Sequence, residues 1–170
     1  MREANVSSKD LEKKLLSLEQ KVQQLEDIEA IRKLKAKYTF ALDKRDWDTV
    51  LNCFTDDTYT DWGVFAGGSG IYKGKQGVKQ FFTVDVPKAA TFFVHMVHND
   101  LIEVNGNQAR GRWYYEEPMT WAAENRAGWI VGTYDEKFVK QAGEWKIKEV
   151  KVTHFYQTPY DAGWVKENRG

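Results

Sequence analysis

Residues 144–157, EWKIKEVKVTHFYQ, read as a β-strand that changes face part-way along its length. Side chains alternate across a strand. Trp145 and Ile147 are apolar at odd positions, whereas Val150, Val152, His154 and Tyr156 are apolar or aromatic at even ones. The phase slips near Lys148-Glu149, as a β-bulge produces, and a bulge bends its sheet. A strongly bent sheet closed by helices makes a cone around a cavity, where small-molecule sites tend to lie.

Upstream, three more runs have strand texture: TFFVHMVHNDLIEV (91–104), QARGRWYYEE (108–117) and GWIVGTYDEKFVK (128–140). Asn105-Gly106 and Ala142-Gly143 supply hairpin turns between neighbours. The first part of the chain is helical instead. Leu11, Leu15, Leu18, Val22 and Leu25 form a short heptad seam, and Ser7, Ser8 or Asp10 offers it a cap. The seam suits either packing on its own domain or a coil between subunits. Ile28, Ile31, Leu34 and Leu42 carry an apolar pattern onward to Asp43, and KRDWDTVLNCF reads as a further short helix opened by Asp46. DDTYTDW is the first strand, and KQGVKQFF a helix after a glycine-rich stretch. Helices first and strands afterwards predict an α+β fold, organised as a heptad helix over 1–25, one domain over 26–160 and a tail over 161–170.

Composition removes several functions. The chain has 170 residues, zero formal charge and no basic stripe interleaved with aromatics, so nucleic acid is not an expected partner. No run of about 18 apolar residues suggests a membrane span, and the first residues lack an apolar leader. The single cysteine, Cys53, cannot form an internal disulfide and lies beside Val50, Leu51 and Phe54. It reads as a packed hydrophobe in a reducing, cytoplasmic setting. Gly74-Lys75 is followed by Gln76, which breaks the P-loop pattern.

Two of the three histidines, His95 and His98, sit in one predicted strand three residues apart, so they point to opposite faces. From a straight strand they cannot chelate one metal, and no HExxH pattern or cysteine set completes a site. Periodicity does not say which histidine faces the cavity, and either suits a hydrogen-bonded core position. Asp43, near a helix C-terminus, is electrostatically unfavourable there. A histidine partner would account for it.

Taken in order, IEAIRKLKAKYTFALDKRDWD, TFFVHMVHNDLIEVNGNQARGRWYYEE and YDEKFVKQAGEWKIKEVKVTHFY resemble the SnoaL-like branch of the nuclear transport factor 2-like superfamily. The resemblance spans roughly residues 26–157 and is strongest to the bile-acid 7α-dehydratases, with hexachlorocyclohexane dehydrochlorinases and scytalone dehydratase more distant. It implies a cone-shaped fold with a curved mixed sheet, and a dehydratase that needs no cofactor or metal. It further implies His95 as a base oriented by Asp43, with Tyr38 and Glu117 as the other catalytic groups. Trp62, Trp113, Tyr115 and His154 would contact a small apolar polycyclic substrate such as a steroid, and Phe65, Phe92, Trp121 and Trp129 are further candidates for the lining. Trp62 stands near an expected tyrosine, and His154 where an arginine is expected. The family relatives suggest a homotrimer. Related eliminations, isomerisations and cyclisations use similar groups in the same cone, and a binding module without catalysis is the rival from another class.

Overall fold

Ser7 opens the first helix: its hydroxyl accepts a hydrogen bond from the Asp10 N–H at 3.2 Å, satisfying a donor of the first turn that has no helical partner. From that cap α1 runs unbroken over Ser8–Asp43 in the computed structural model, which describes residues 7–63 and 69–161. The two ends of this helix differ. Residues 7–26 are exposed on every side, and Leu11, Leu15, Leu18, Val22 and Leu25 are 52% to 66% exposed. The seam therefore does not pack on its own domain. From Asp27 onward the spacing of Asp27, Ile31, Lys35, Tyr38 and Leu42 marks one buried helical face.

Asp46 accepts from the Thr49 N–H at 3.1 Å and starts α2 (Trp47–Asn52), which delivers the chain into β1 (Phe54–Asp61). A short β2 (Ile71–Lys73) pairs with β1. It leads into α3 (Gly74–Gln80), a π-helical turn (Phe81–Asp85) and the single turn α4 (Val86–Ala89). The remaining strands are β3 (Ala90–Phe93), β4 (Met96–Asn105), β5 (Gln108–Trp121), β6 (Arg126–Gln141) and β7 (Glu144–Pro159). They form a mixed seven-stranded sheet in the order β2-β1-β7-β6-β5-β3, with β4 also on β5. Only β1 and β7 pair in parallel among the described strands.

The slip expected in the last strand is present: Lys137 pairs with Glu149 and Phe138 with Ile147, leaving Lys148 as the extra residue. A second slip follows, where Val131 pairs with Tyr156 and Gly132 with His154, so Phe155 bulges outward and is 50% exposed. Two bulges in one strand wrap the sheet around α1. The run 91–104, by contrast, is two strands rather than one. Pro118 on β5 has no N–H to donate, the Val94 N–H bonds its carbonyl at 3.2 Å, and regular pairing stops over Val94 and His95. One turn is displaced by a residue: Asn105 pairs with Gln108, so the loop is Gly106-Asn107, with Gly106 at φ +57°. Ala142-Gly143 turns as expected, both residues left-handed at φ +49° and +84°.

Between α1 and the hollow face of the sheet lies an ion pair, Lys35 Nζ to Glu136 Oε1 at 2.9 Å, with the two side chains 1% and 0% exposed. Lys35 Nζ also sits 3.4 Å from the centroid of the Tyr134 ring. Burial drives the Lys35 amine pKa down and the Glu136 carboxyl pKa up, and their mutual contact opposes both. Removing one partner leaves an uncompensated buried charge. Lys35→Ala is expected to cost roughly 3–5 kcal/mol in urea denaturation, whereas Lys35→Met with Glu136→Leu is expected to match the wild type or exceed it. A loss below about 1 kcal/mol for the single change would show that water reaches the pair.

Candidate active site

Asp43 is the last residue of α1, where helix carbonyls point and an acid is out of place; no basic residue lies in the last turn. The break between β3 and β4 compensates. His95, freed from ladder pairing, gives its backbone N–H to Asp43 Oδ1 at 3.0 Å, and its ring Nδ1 lies 2.9 Å from the same oxygen. A carboxylate accepts here, so Nδ1 carries a proton, and in the neutral form of the ring the lone pair is on Nε2. That nitrogen faces Glu117 Oε1 at 3.8 Å. His98 lies on the opposite face, 3.6 Å from Glu116 and 45% exposed, as strand alternation requires.

His95 and Glu117 line a cavity of about 50 Å³. Tyr38, Trp62, Tyr115 and His154 also line it, while Asp43 supports His95 from behind. Glu117 has only 14% of its side chain exposed. Burial raises its pKa; nearby His95 works against that and Asp43 works with it. His154 is pushed down by burial, and Gln157 Nε2 lies 2.8 Å from its Nδ1, so the neutral ring carries its proton on Nε2. Tyr38 is raised well above the ordinary phenol value, first by burial and then by Glu136, so it remains a hydrogen-bond donor.

Two cavity donors have no partner among the described residues: the Tyr38 hydroxyl and the Trp62 indole N–H. Buried donors rarely go unpaired, and two on one cavity point to a bound acceptor. Trp62 thus keeps a donor at the position where a tyrosine was expected.

The aromatic lining differs in part from the sequence expectation. Trp113 is buried against Phe138 and Lys35 rather than on this cavity, because it shares the face of Tyr115 but sits two residues from it along β5. Phe92 is 53% exposed on the outer side of β3, and Trp121 and Trp129 are half-buried away from the lining. Phe65 lies outside the described residues. The rings that do close the cavity include Phe81, Phe82, Phe93 and Tyr134. Trp62 stacks on Phe81 with centroids 5.1 Å apart and meets Phe82 edge-on at 5.5 Å. The doubled Phe81-Phe82 was the available signal, and the π-turn is what buries both.

A family model for the SnoaL-like domain matches residues 23–151. An uncharacterized protein of Mycobacterium tuberculosis is 30% identical over 138 residues, covering 80% of this chain and 90% of that protein. A hexachlorocyclohexane dehydrochlorinase of Novosphingobium barchaimii superimposes with a TM-score of 0.74 at 23% identity, covering 84% of this chain and 95% of that one. A candidate scytalone dehydratase of Novosphingobium aromaticivorans gives 0.70 at 20% identity, covering 80% and 89% respectively. At these identities the two structures speak for the fold.

Replacing Glu117 by Gln removes a carboxyl that is costly to ionise when buried. A carboxyl whose folded pKa is raised destabilises the fold as pH climbs from its unfolded value near 4.5 through the folded one. Glu117→Gln is therefore expected to raise Tm relative to wild type, by a margin larger at pH 8 than at pH 5, on a scale of about 2–4 °C per kcal/mol. A margin that shrinks as pH rises would overturn the assignment of a raised pKa to this residue.

Proposed function

The chain belongs to the SnoaL-like domain family, and on that footing we propose that it is a cofactor-independent lyase that eliminates water from a hydroxylated carbonyl or enone compound. One observation carries the reading. A histidine whose Nδ1 is held by Asp43 presents its other nitrogen 3.8 Å from a buried acid, in a cavity with two unpaired donors. In this mechanism His95 Nε2 takes a proton made acidic by the substrate carbonyl. The Tyr38 hydroxyl and Trp62 N–H bind the oxygen on which negative charge develops. The electron pair expels the hydroxyl group, and protonated Glu117 gives its proton to that leaving oxygen, forming water. Elimination leaves imidazolium beside carboxylate, and return of the proton from His95 to Glu117 restores both groups. His154, with its proton on Nε2, is placed to donate to a substrate oxygen.

A 7α-hydroxy-3-oxo-4-ene steroid is the substrate suggested by the sequence resemblance. The cavity argues for a second, smaller candidate. At about 50 Å³ it falls well short of the roughly 300–1,000 Å³ of sites that enclose drug-sized ligands. A compact cyclic substrate that loses water or halide needs less displacement of Phe81 and Phe82 than a steroid does.

Absorbance at the conjugated-dienone band separates these readings. With the steroid, wild-type protein is expected to give a rise that His95→Ala slows by about 10²–10⁴-fold. The same substitution is expected to abolish elimination from a compact hydroxylated or halogenated ring ketone if that is the substrate class. Turnover of either compound at an unchanged rate by His95→Ala would remove His95 as the base.

A further inference from the structure

The exposed arm of α1 faces the wrong way to serve its own domain. At about 100° per residue, the seam Leu11, Leu15, Leu18, Val22, Leu25 is centred about 150° around the helix from the buried face Ile31, Lys35, Tyr38, Leu42. The domain thus holds one side of the helix and leaves the leucines on the other. All residues from 7 to 26 are exposed, so among the described residues nothing packs against the arm. Most helical stability in proteins comes from packing of an apolar face, and the apolar face of this arm is uncovered.

Its flanking charges say what covers it. With Leu15 and Val22 at positions a and Leu11, Leu18 and Leu25 at positions d, the g positions are Lys14 and Lys21 and the e positions include Glu19 and Glu26. In a parallel, in-register pair each g residue meets the e residue five places on in the neighbouring helix. Lys14 then meets Glu19, and Lys21 meets Glu26, on both sides of the seam. An antiparallel pair would set lysine against lysine and glutamate against glutamate. None of these four makes an ion pair within the chain among the described residues. We propose that residues 8–26 form a parallel, in-register coiled coil with the same segment of a second copy of this chain. Most of that segment precedes residue 23, where the family match begins, so the interface is an addition to the shared domain and independent of the proposed chemistry.

Cysteine placement reads both the partner and its direction. Leu11 is exposed, so Leu11→Cys leaves the cone intact, while the native Cys53 is buried at 1%. Under mild oxidation the full-length Leu11→Cys protein is expected to form a disulfide-linked dimer, as is Leu25→Cys tested alone. Reversing the charges, Lys14→Glu with Lys21→Glu, in the Leu11→Cys background is expected to cut that dimer at least about tenfold. Mixing with the Leu11→Cys protein carrying Glu19→Lys and Glu26→Lys is expected to restore it. No covalent dimer from either single cysteine, a dimer only when the Leu11→Cys and Leu25→Cys proteins are mixed, or a dimer insensitive to the charge reversal would overturn the proposal.

Discussion

The buried pair of Lys35 and Glu136 fixes where α1 lies on the sheet, and the cavity depends on that register. Apolar contact is non-directional, and a helix of alanine and leucine slides on a curved sheet at little cost. Polar ties do not slide. Asp27 accepts from Lys140 Nζ at 2.7 Å and from Trp145 Nε1 at 2.8 Å, and Lys35 meets Glu136 at 2.9 Å. Eight residues of helix rise about 12 Å, and four residues of strand about 13 Å. Asp27 to Lys35 therefore measures the same length along α1 as Lys140 to Glu136 does along β6, running in the opposite direction. A second interval of eight residues brings the helix to Asp43, at the break in the sheet that holds His95. The helix is thus tied at its start, middle and end, and the last tie is the candidate active site.

This arrangement explains which parts of the molecule were legible in the sequence. The curved sheet could be read from the parity change of Trp145, Ile147, Val150 and Val152, because a bulge moves every later side chain to the other face. Asp43 and His95 are in contact, and the helix-end position of Asp43 already called for a partner. The roles of Asp27 and Lys35 were not legible. A charged residue on an apolar helical face reads as an interruption of that face, and nothing local discloses that its partner is more than a hundred residues away. Pro118 likewise gave no local sign that its missing N–H would divide the strand at Val94 and His95.

The difference between Trp113 and Tyr115 belongs with these cases. Both alternate onto the concave side of β5, and both are buried, at 3% and 1% exposure. Their distinction lies along the strand rather than across it: Trp113 packs by Lys35 and Phe138, while Tyr115 reaches the cavity beside His154. Periodicity reports the face a residue occupies and carries no information about depth in a cone. The lining rings Phe81 and Phe82 come from a π-helical turn, whose wider repeat escapes patterns built on 3.6 residues.

Beside the buried Lys35–Glu136 pair and the unpartnered Thr55 hydroxyl, a group of unfavourable features gathers around one cavity. Asp43 sits against the helix dipole, Glu117 is a carboxyl with its charge discouraged by burial, and the Tyr38 hydroxyl and Trp62 indole N–H lack partners. Each opposes folding by itself, since apolar replacements of similar size would pack there without the desolvation cost. Here three of the four groups border one cavity and the fourth orients a histidine within it. A purely structural cone gains nothing from that concentration, whereas a site that moves a proton requires a held base, a neutral acid and donors left free for the reacting oxygen. The same logic sets the cavity's small volume in context. Phe81, Phe82 and Trp62 are rings in mutual contact rather than a rigid backbone wall, so the space they close can be enlarged by rotamer changes at modest cost. The polar groups have no such freedom. In the proposed reaction the chemistry would be set by contacts anchored to α1 and β5, and the size of the substrate by the rings of the short helical segment opposite.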